Sequence, residues 1–198
     1  MQTILILDYG NDLTPQLCAS ITALGFTPQV VSRKTKAATI TANSDIKGVI
    51  LSGAAYTIYV DDIHVVDPEL FTLDIPVLGL GRGMQVMIHQ LGGTVTPAGY
   101  EYAPTASQLA LHNTASGLFK GLANEAVKPL GFDAKVSALP DGFSVLASGH
   151  EIESGDNRPF GAIENPTAGL YGIQYVFNTH SSAFDTAALK NFLALCAA

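Results

Sequence analysis

The stretch Gly79-Leu80-Gly81-Arg82-Gly83 is the part of the chain whose residue types and spacing bear most directly on chemistry. Before it, Val77-Leu78 has the character of a buried strand. After it, Met84, Met87 and Leu91 recur at helical spacing, and Gly92-Gly93 stops that helix. A strand that turns abruptly into a helix presents its turn residue at the carboxyl edge of a sheet. There a nucleophile elbow carries its reactive side chain, and there open α/β sheets bind ligands. Gly81 stands at the tip and has no side chain to react. Binding chemistry remains open. Backbone amides and the helix dipole favour an anion at such a helix start, and Arg82 there would hold a carboxylate or phosphate. The more ordinary reading of Arg82 is a salt bridge to a nearby acid, or solvent.

Other groups offer less. Cys18 and Cys196 sit in helix-like apolar settings, and free cysteines are most often buried packing residues. Ser52 ends a strand at the same sheet edge and reads as part of that strand end. His180 reads as a surface-loop histidine. His64, His89, His112 and His150 show no metal-ligand spacing, so we expect no metal site and no cofactor. Asp61-Asp62 reads as a solvated pair or a cap.

For the turn at Gly81 to stand at a sheet edge, parallel strands must lie beside it, and the first half of the chain supplies them. Ile4 to Leu7 is an all-apolar strand closed by Asp8-Tyr9-Gly10. Asn11 or Asp12 is suited to cap the next helix, with Pro15 in its first turn, a stripe of Leu13, Leu17, Ile21 and Leu24, and Gly25 as its stop. Pro28 to Val31 is a strand, Thr35 to Asn43 a short helix, Lys47 to Leu51 a strand, and Asp67 to Leu73 a weak helical segment. Alternating strands and helices with apolar strands imply a parallel sheet covered on both faces. From Gly93 onward come short β-like pieces: Thr94 to Val95, Gln108 to Leu111, Ala126 to Pro129, Ser144 to Ala147, Gly161 to Ile163 and Gly172 to Tyr175. Turn signals such as Pro140-Asp141-Gly142 separate them. They predict an antiparallel extension, and Ala183 to Ala197 predicts a closing helix. The fold class is α/β: a mostly parallel central sheet flanked by helices, with an antiparallel extension in the second half. Residues 1–198 read as a single domain.

The chain carries a formal charge of −7 over 198 residues, and 47% of them are hydrophobic. A net acidic chain lacks the basic face that nucleic-acid backbones require. No apolar run approaches the ~20 residues of a membrane span, and Met1-Gln2-Thr3-Ile4 does not read as a signal peptide. Two distant cysteines do not make a disulfide framework, and a reduced, cytoplasmic setting fits.

The residues also resemble a known family, the class I glutamine amidotransferase domain, and most closely the glutaminase type found in GMP synthase. The likeness runs along the whole chain through Ile4 to Gly10, Gly48 to Gly53, Pro76 to Gly79, Gly83-Met84-Gln85, Leu118 to Leu122, Leu139 to Phe143, Ala162 to Asn165 and Tyr171 to Tyr175. It implies a flavodoxin-like fold and a site in which a Cys at the elbow attacks the side-chain amide of glutamine. A His then relays protons and a Glu orients the His. Carried over by position, the Cys place is Gly81, the His place Val176 and the Glu place Asn178, with Phe177 between the last two. The oxyanion loop becomes Gly53-Ala54-Ala55, and a segment near the mouth of the site becomes Gly131-Phe132-Asp133-Ala134. The resemblance therefore implies a vestigial triad at Gly81, Val176 and Asn178, and a vestigial pocket of Gly53, Ala54, Arg82, Gly83 and Gln85. The expected role is binding or scaffolding, with a synthetase subunit or a second copy of the chain as partner and a small anion as ligand. The alternative is an ammonia-supplying glutaminase subunit, or a related hydrolase, that uses a substitute nucleophile.

Overall fold

Thr3-Ile4-Leu5-Ile6-Leu7-Asp8 is apolar on both faces of a strand, so it is stable only between two helical layers. The computed structural model places it there and describes residues 2–53, 65–97, 105–115, 117–122, 125–130, 134–149 and 160–198. This first strand, β1 (Thr3–Asp8), is buried from Thr3 to Leu7 and pairs in parallel with β2 (Thr27–Ser32) and β3 (Ile46–Ser52). β3 pairs in parallel with β4 (Val77–Leu80), and β4 with β11 (Leu170–Ile173). Beyond β11 the sheet turns antiparallel through β10 (Phe160–Asn165), β9 (Ser144–Gly149), β6 (Thr105–Leu111) and β7 (Glu125–Leu130). The nine-stranded order is β2-β1-β3-β4-β11-β10-β9-β6-β7.

Among the described residues four helices and two 3-10 turns cover the sheet: α1 (Thr14–Ala23), α2 (Ala37–Thr41), α3 (Arg82–Gln90) and α4 (Ala183–Cys196), with 3-10 turns at Pro68–Thr72 and Gly117–Phe119. Alternation along the strands divides the core. Ile4, Ile6, Ile50, Leu78 and Ile173 pack with Leu17 and Ile21 of α1 and Leu189 and Phe192 of α4. Leu5, Leu7, Val49, Leu51 and Val77 face Met84, Met87 and Ile88 of α3. Each such side chain contributes about 1.5–3 kcal/mol when fully buried. Among the described residues no helix is long and apolar enough to cross a membrane.

Three sequence expectations need correction. Asn11 and Asp12 do not cap α1; Leu13 holds the cap position without a side-chain bond. The polar entry is organised from β1 instead. Asp8 Oδ1 accepts hydrogen bonds from the amides of Gly10 and Asn11 and from Thr14 Oγ1, while Asn11 Oδ1 accepts from the Leu13 amide. The segment around Gly172 is not part of the antiparallel extension on both sides. β11 is the fifth parallel strand, and its register with β4 makes it the seam between the two halves. Thr94 to Val95 leaves the main sheet altogether. It lies in β5 (Thr94–Pro97), which pairs antiparallel with β8 (Ala134–Ala138) as a separate ribbon.

Candidate functional site

The turn between β4 and α3 is shaped by the three alternate glycines, for two different reasons. Gly79 and Gly83 permit close approach. A Cβ at Gly79 would lie 2.6 Å from Met84 Cα, and one at Gly83 would run into the Leu51 carbonyl oxygen. Gly81 permits a conformation. Its φ is 53° and its ψ −112°, a region that L side chains rarely adopt. Space is less restrictive there, because the nearest neighbour of a Cβ would be the Gly53 carbonyl oxygen at 3.2 Å. The Gly81 amide donates to Ile173 O at 2.7 Å, and its carbonyl accepts from the amides of Met84 and Gln85 at 3.1 and 3.3 Å. The turn is therefore fixed entirely by backbone groups.

Gly53 ends β3 beside it. Its amide donates to Leu80 O at 3.3 Å, and a Cβ there would meet Arg82 Cβ at 2.5 Å. Ala54, Ala55, Asp61-Asp62, His64, Gly131-Phe132-Asp133 and His150 fall outside the described residues. Gln85 is buried, and its Nε2 donates to Ala134 O at 3.0 Å, tying α3 to the β5–β8 ribbon. Arg82 is half-buried. Among the described residues it has neither an ion pair nor a hydrogen bond, and its Nε is shielded from solvent without a partner. The salt bridge expected for it is therefore not found there. Its electrostatic neighbour is Tyr9. Burial pushes the Tyr9 phenol well up, while Arg33 and then Arg82 pull it partly back.

The loop after β11 is built on different terms. Tyr175 and Phe177 turn into the core, 1% and 8% exposed, with ring centroids 6.4 Å apart. Burial first, and then the nearby Asp185 carboxylate, hold the Tyr175 phenol protonated far above its ordinary range. Asp185, itself buried in the first turn of α4, also accepts the Asn178 amide at 2.9 Å. Asn178 Oδ1 accepts the amides of His180 and Ser181 at 3.0 and 3.2 Å, closing a local Asx turn. Val176 is half-buried between the two aromatics. His180 is exposed.

The remaining candidate nucleophiles are otherwise engaged. Ser52 is fully buried, its Oγ within 3.2 Å of both Thr14 Oγ1 and Asn11 Nδ2. Cys196 is buried against Gly48, and desolvation raises its thiol to about 12. A neutral thiol of that kind is a poor nucleophile. Cys18 is only half-buried, a correction to the fully packed reading, and burial and Asp8 both raise its thiol. His89 is exposed. His112 Nε2 lies 2.8 Å from Ser148 Oγ, a pair the sequence did not suggest. That serine is 5% exposed, and among the described residues no group holds the other ring nitrogen.

Two clefts of about 600 and 580 Å³ open at the opposite, amino-terminal edge of β4, sharing Leu73 to Pro76 and Leu195. They lie away from Gly81 and add nothing to the chemistry at the turn. Sequence reasoning also missed Tyr9 and Arg33. Each follows the carboxyl end of a parallel strand, β1 and β2, and that placement was available as a signal once the strands were read as parallel.

Comparison with known proteins gives a consistent picture. The family model for glutamine amidotransferase class-I matches residues 5–196. The chain is 34% identical over 200 residues to a "GMP synthase [glutamine-hydrolyzing]" of Streptococcus pyogenes serotype M5, with 100% of this chain and 37% of that protein aligned. The chain thus spans a little over a third of the length of the curated relatives it matches. Among solved structures, it superposes on a protein from Thermoplasma acidophilum described as a GMP synthase subunit, with a TM-score of 0.83 at 20% identity. That match covers 100% of this chain and 94% of the other. It also superposes on PurLQS from Thermotoga maritima with a TM-score of 0.68 at 12% identity, covering 98% and 97%.

Proposed function

The chain belongs to the class I glutamine amidotransferase family, and within that family we propose that it is a member without glutamine hydrolysis, acting as a binding or scaffold subunit. The observation that carries this reading is Gly81 at the tip of the β4–α3 turn, in the left-handed conformation of an elbow and with no side chain. Hydrolysis of the glutamine amide through a thioester needs a sulfur at that tip to form the covalent bond. It also needs a proton relay and a group to orient it. The positions that correspond by resemblance hold Val176, which has no proton to transfer, and Asn178, whose side-chain oxygen is occupied by its own loop. Members of such a triad act as a unit, so loss of all three removes covalent catalysis.

Gly53, Ala54, Arg82, Gly83 and Gln85 form the vestigial pocket in this reading. Gly53 and Gly83 support it by bringing strand and helix close, and Arg82 by its uncompensated charge. Gln85 weakens its own part, because its side-chain amide is already tied to Ala134. The partner is a synthetase subunit or a second copy of this chain. Residues 1–198 act as a single domain and work without a cofactor. The test is glutamate release from glutamine by the purified chain. No release above the protein-free rate is expected. Turnover that disappears on Arg82→Ala would overturn the reading.

A further inference from the structure

Four cationic residues of this acidic chain follow strand ends at the carboxyl edge of the parallel sheet: Arg33, Lys34 and Lys36 after β2, and Arg82 after β4. Lys36 has a partner in Asp67 at 3.7 Å. Arg33 and Arg82 have no ion pair among the described residues. Asp8, the acid at the end of β1, has its Oδ1 occupied by two backbone amides and a hydroxyl. Tyr9 connects the two arginines. The Arg33 guanidinium lies 5.9 Å from the centre of the Tyr9 ring. The Tyr9 amide donates to Ser52 O at 2.8 Å, and the next residue, Gly53, packs directly on Arg82 Cβ. Two donors in this group are shielded from water without an acceptor, Tyr9 Oη and Arg82 Nε. A buried donor left bare is costly, because it loses its water partners and gains none. Tyr9 Oη and the guanidinium groups of Arg33 and Arg82 have no acceptor among the described residues.

We propose that Tyr9, Arg33 and Arg82 form a binding site for a phosphate group, either free or carried by a small phosphorylated molecule. The planar guanidinium forks suit bidentate contacts to phosphate oxygens. Arg33 is held to Tyr9 by a stack, not a hydrogen bond, so its fork can turn to an anion without breaking one. The Tyr9 phenol keeps its proton through neutral pH and remains a donor. The amides of Arg82 and Gly83 open α3 at the same edge and add their partial charge. This inference deepens the binding half of the proposed function and rests on it for its role. It stands apart in its test, since glutamate release reports on hydrolysis and phosphate affinity, through Arg33, reports on the anion site.

The experiment is titration of the purified chain with inorganic phosphate, read by calorimetry and thermal shift, against chloride at matched ionic strength. Phosphate is expected to raise the melting temperature where chloride does not. Arg33→Gln and Arg82→Gln are each expected to weaken binding by about tenfold or more, and the double variant to abolish it. Arg82→Lys, which keeps the charge but not the fork, should fall between. Lys190→Gln, an exposed position on the solvent side of α4, should bind as the parent does. A ribose phosphate titrated in parallel distinguishes a carried phosphate from the free ion by tighter binding. No stabilisation by either compound beyond chloride, or unchanged affinity in Arg33→Gln and in the double variant, would overturn the site.

Discussion

The β4–α3 turn and the β11–α4 loop lie side by side, joined by the bond from the Gly81 amide to Ile173 O, yet they are held by different forces. The turn is a backbone object. Its conformation comes from the φ that Gly81 tolerates and from the close approach that Gly79 and Gly83 allow, and none of these three residues contributes a side chain. The loop is a side-chain object. Tyr175 and Phe177 anchor it in the core, Asp185 draws in both Tyr175 and the Asn178 amide, and Asn178 closes the bend. The turn therefore keeps a sharp geometry with no side chain at its tip, while the neighbouring loop is committed to packing and to its own hydrogen bonds.

Variants in the two regions should separate these forces. The largest effect is expected in the loop. Phe177→Ala empties a nearly buried aromatic site and should cost about 3 kcal/mol or more in chemical denaturation. Asp185→Ala comes next. It removes the acceptor of the Asn178 amide and the carboxylate beside buried Tyr175 and should cost about 2–3 kcal/mol. Asp185→Asn should recover part of that loss. In the turn, Gly83→Ala drives a methyl into the Leu51 carbonyl and should cost about 1–3 kcal/mol. Gly81→Ala meets only one atom, at 3.2 Å, so its cost is conformational, about 1–2 kcal/mol. If Gly81→Ala proved more costly than Gly83→Ala, the division between conformation and close approach would be wrong.

The smallest effect is the alkaline pH dependence. The Cys196 thiol is raised from an ordinary 9.0 to about 12 by burial. Above pH 9 the unfolded chain gives up this proton while the folded chain keeps it, so the folded state binds more protons and stability falls as pH rises towards 12. Tyr175 and Tyr171 are also raised and add to the loss above pH 10. By pH 10 the thiol alone should account for about 1 kcal/mol. Melting temperatures measured from pH 8 to 10.5 should decline, and Cys196→Ala should flatten the first part of that decline.

Much of the parallel half was legible because its inner strands β1, β3 and β4 are buried and read as largely apolar runs. The elbow was legible because strand, alternate glycines and helical spacing follow one another within thirteen residues, from Ile75 to Met87. β11 was not assigned correctly. Leu170 to Ile173 is short, and only its register with β4, more than ninety residues earlier, makes it parallel. The tie from Gln85 to Ala134 and the stacking of Arg33 on Tyr9 depend on long-range placement in the same way. The burial of Phe177 had no periodic signal, because a loop has no repeating face. The cap of α1 misled because Asp8 and Asn11 satisfy the amides by local turns, a competing use of the same side chains.

The most direct test of the central claim is covalent labelling. The purified chain is incubated with a glutamine analogue that carries an electrophile, and its intact mass is measured. An unmodified mass is expected, because the turn at Gly81 carries no nucleophile to attack the electrophile. A single stoichiometric adduct, blocked by excess glutamine, would contradict it.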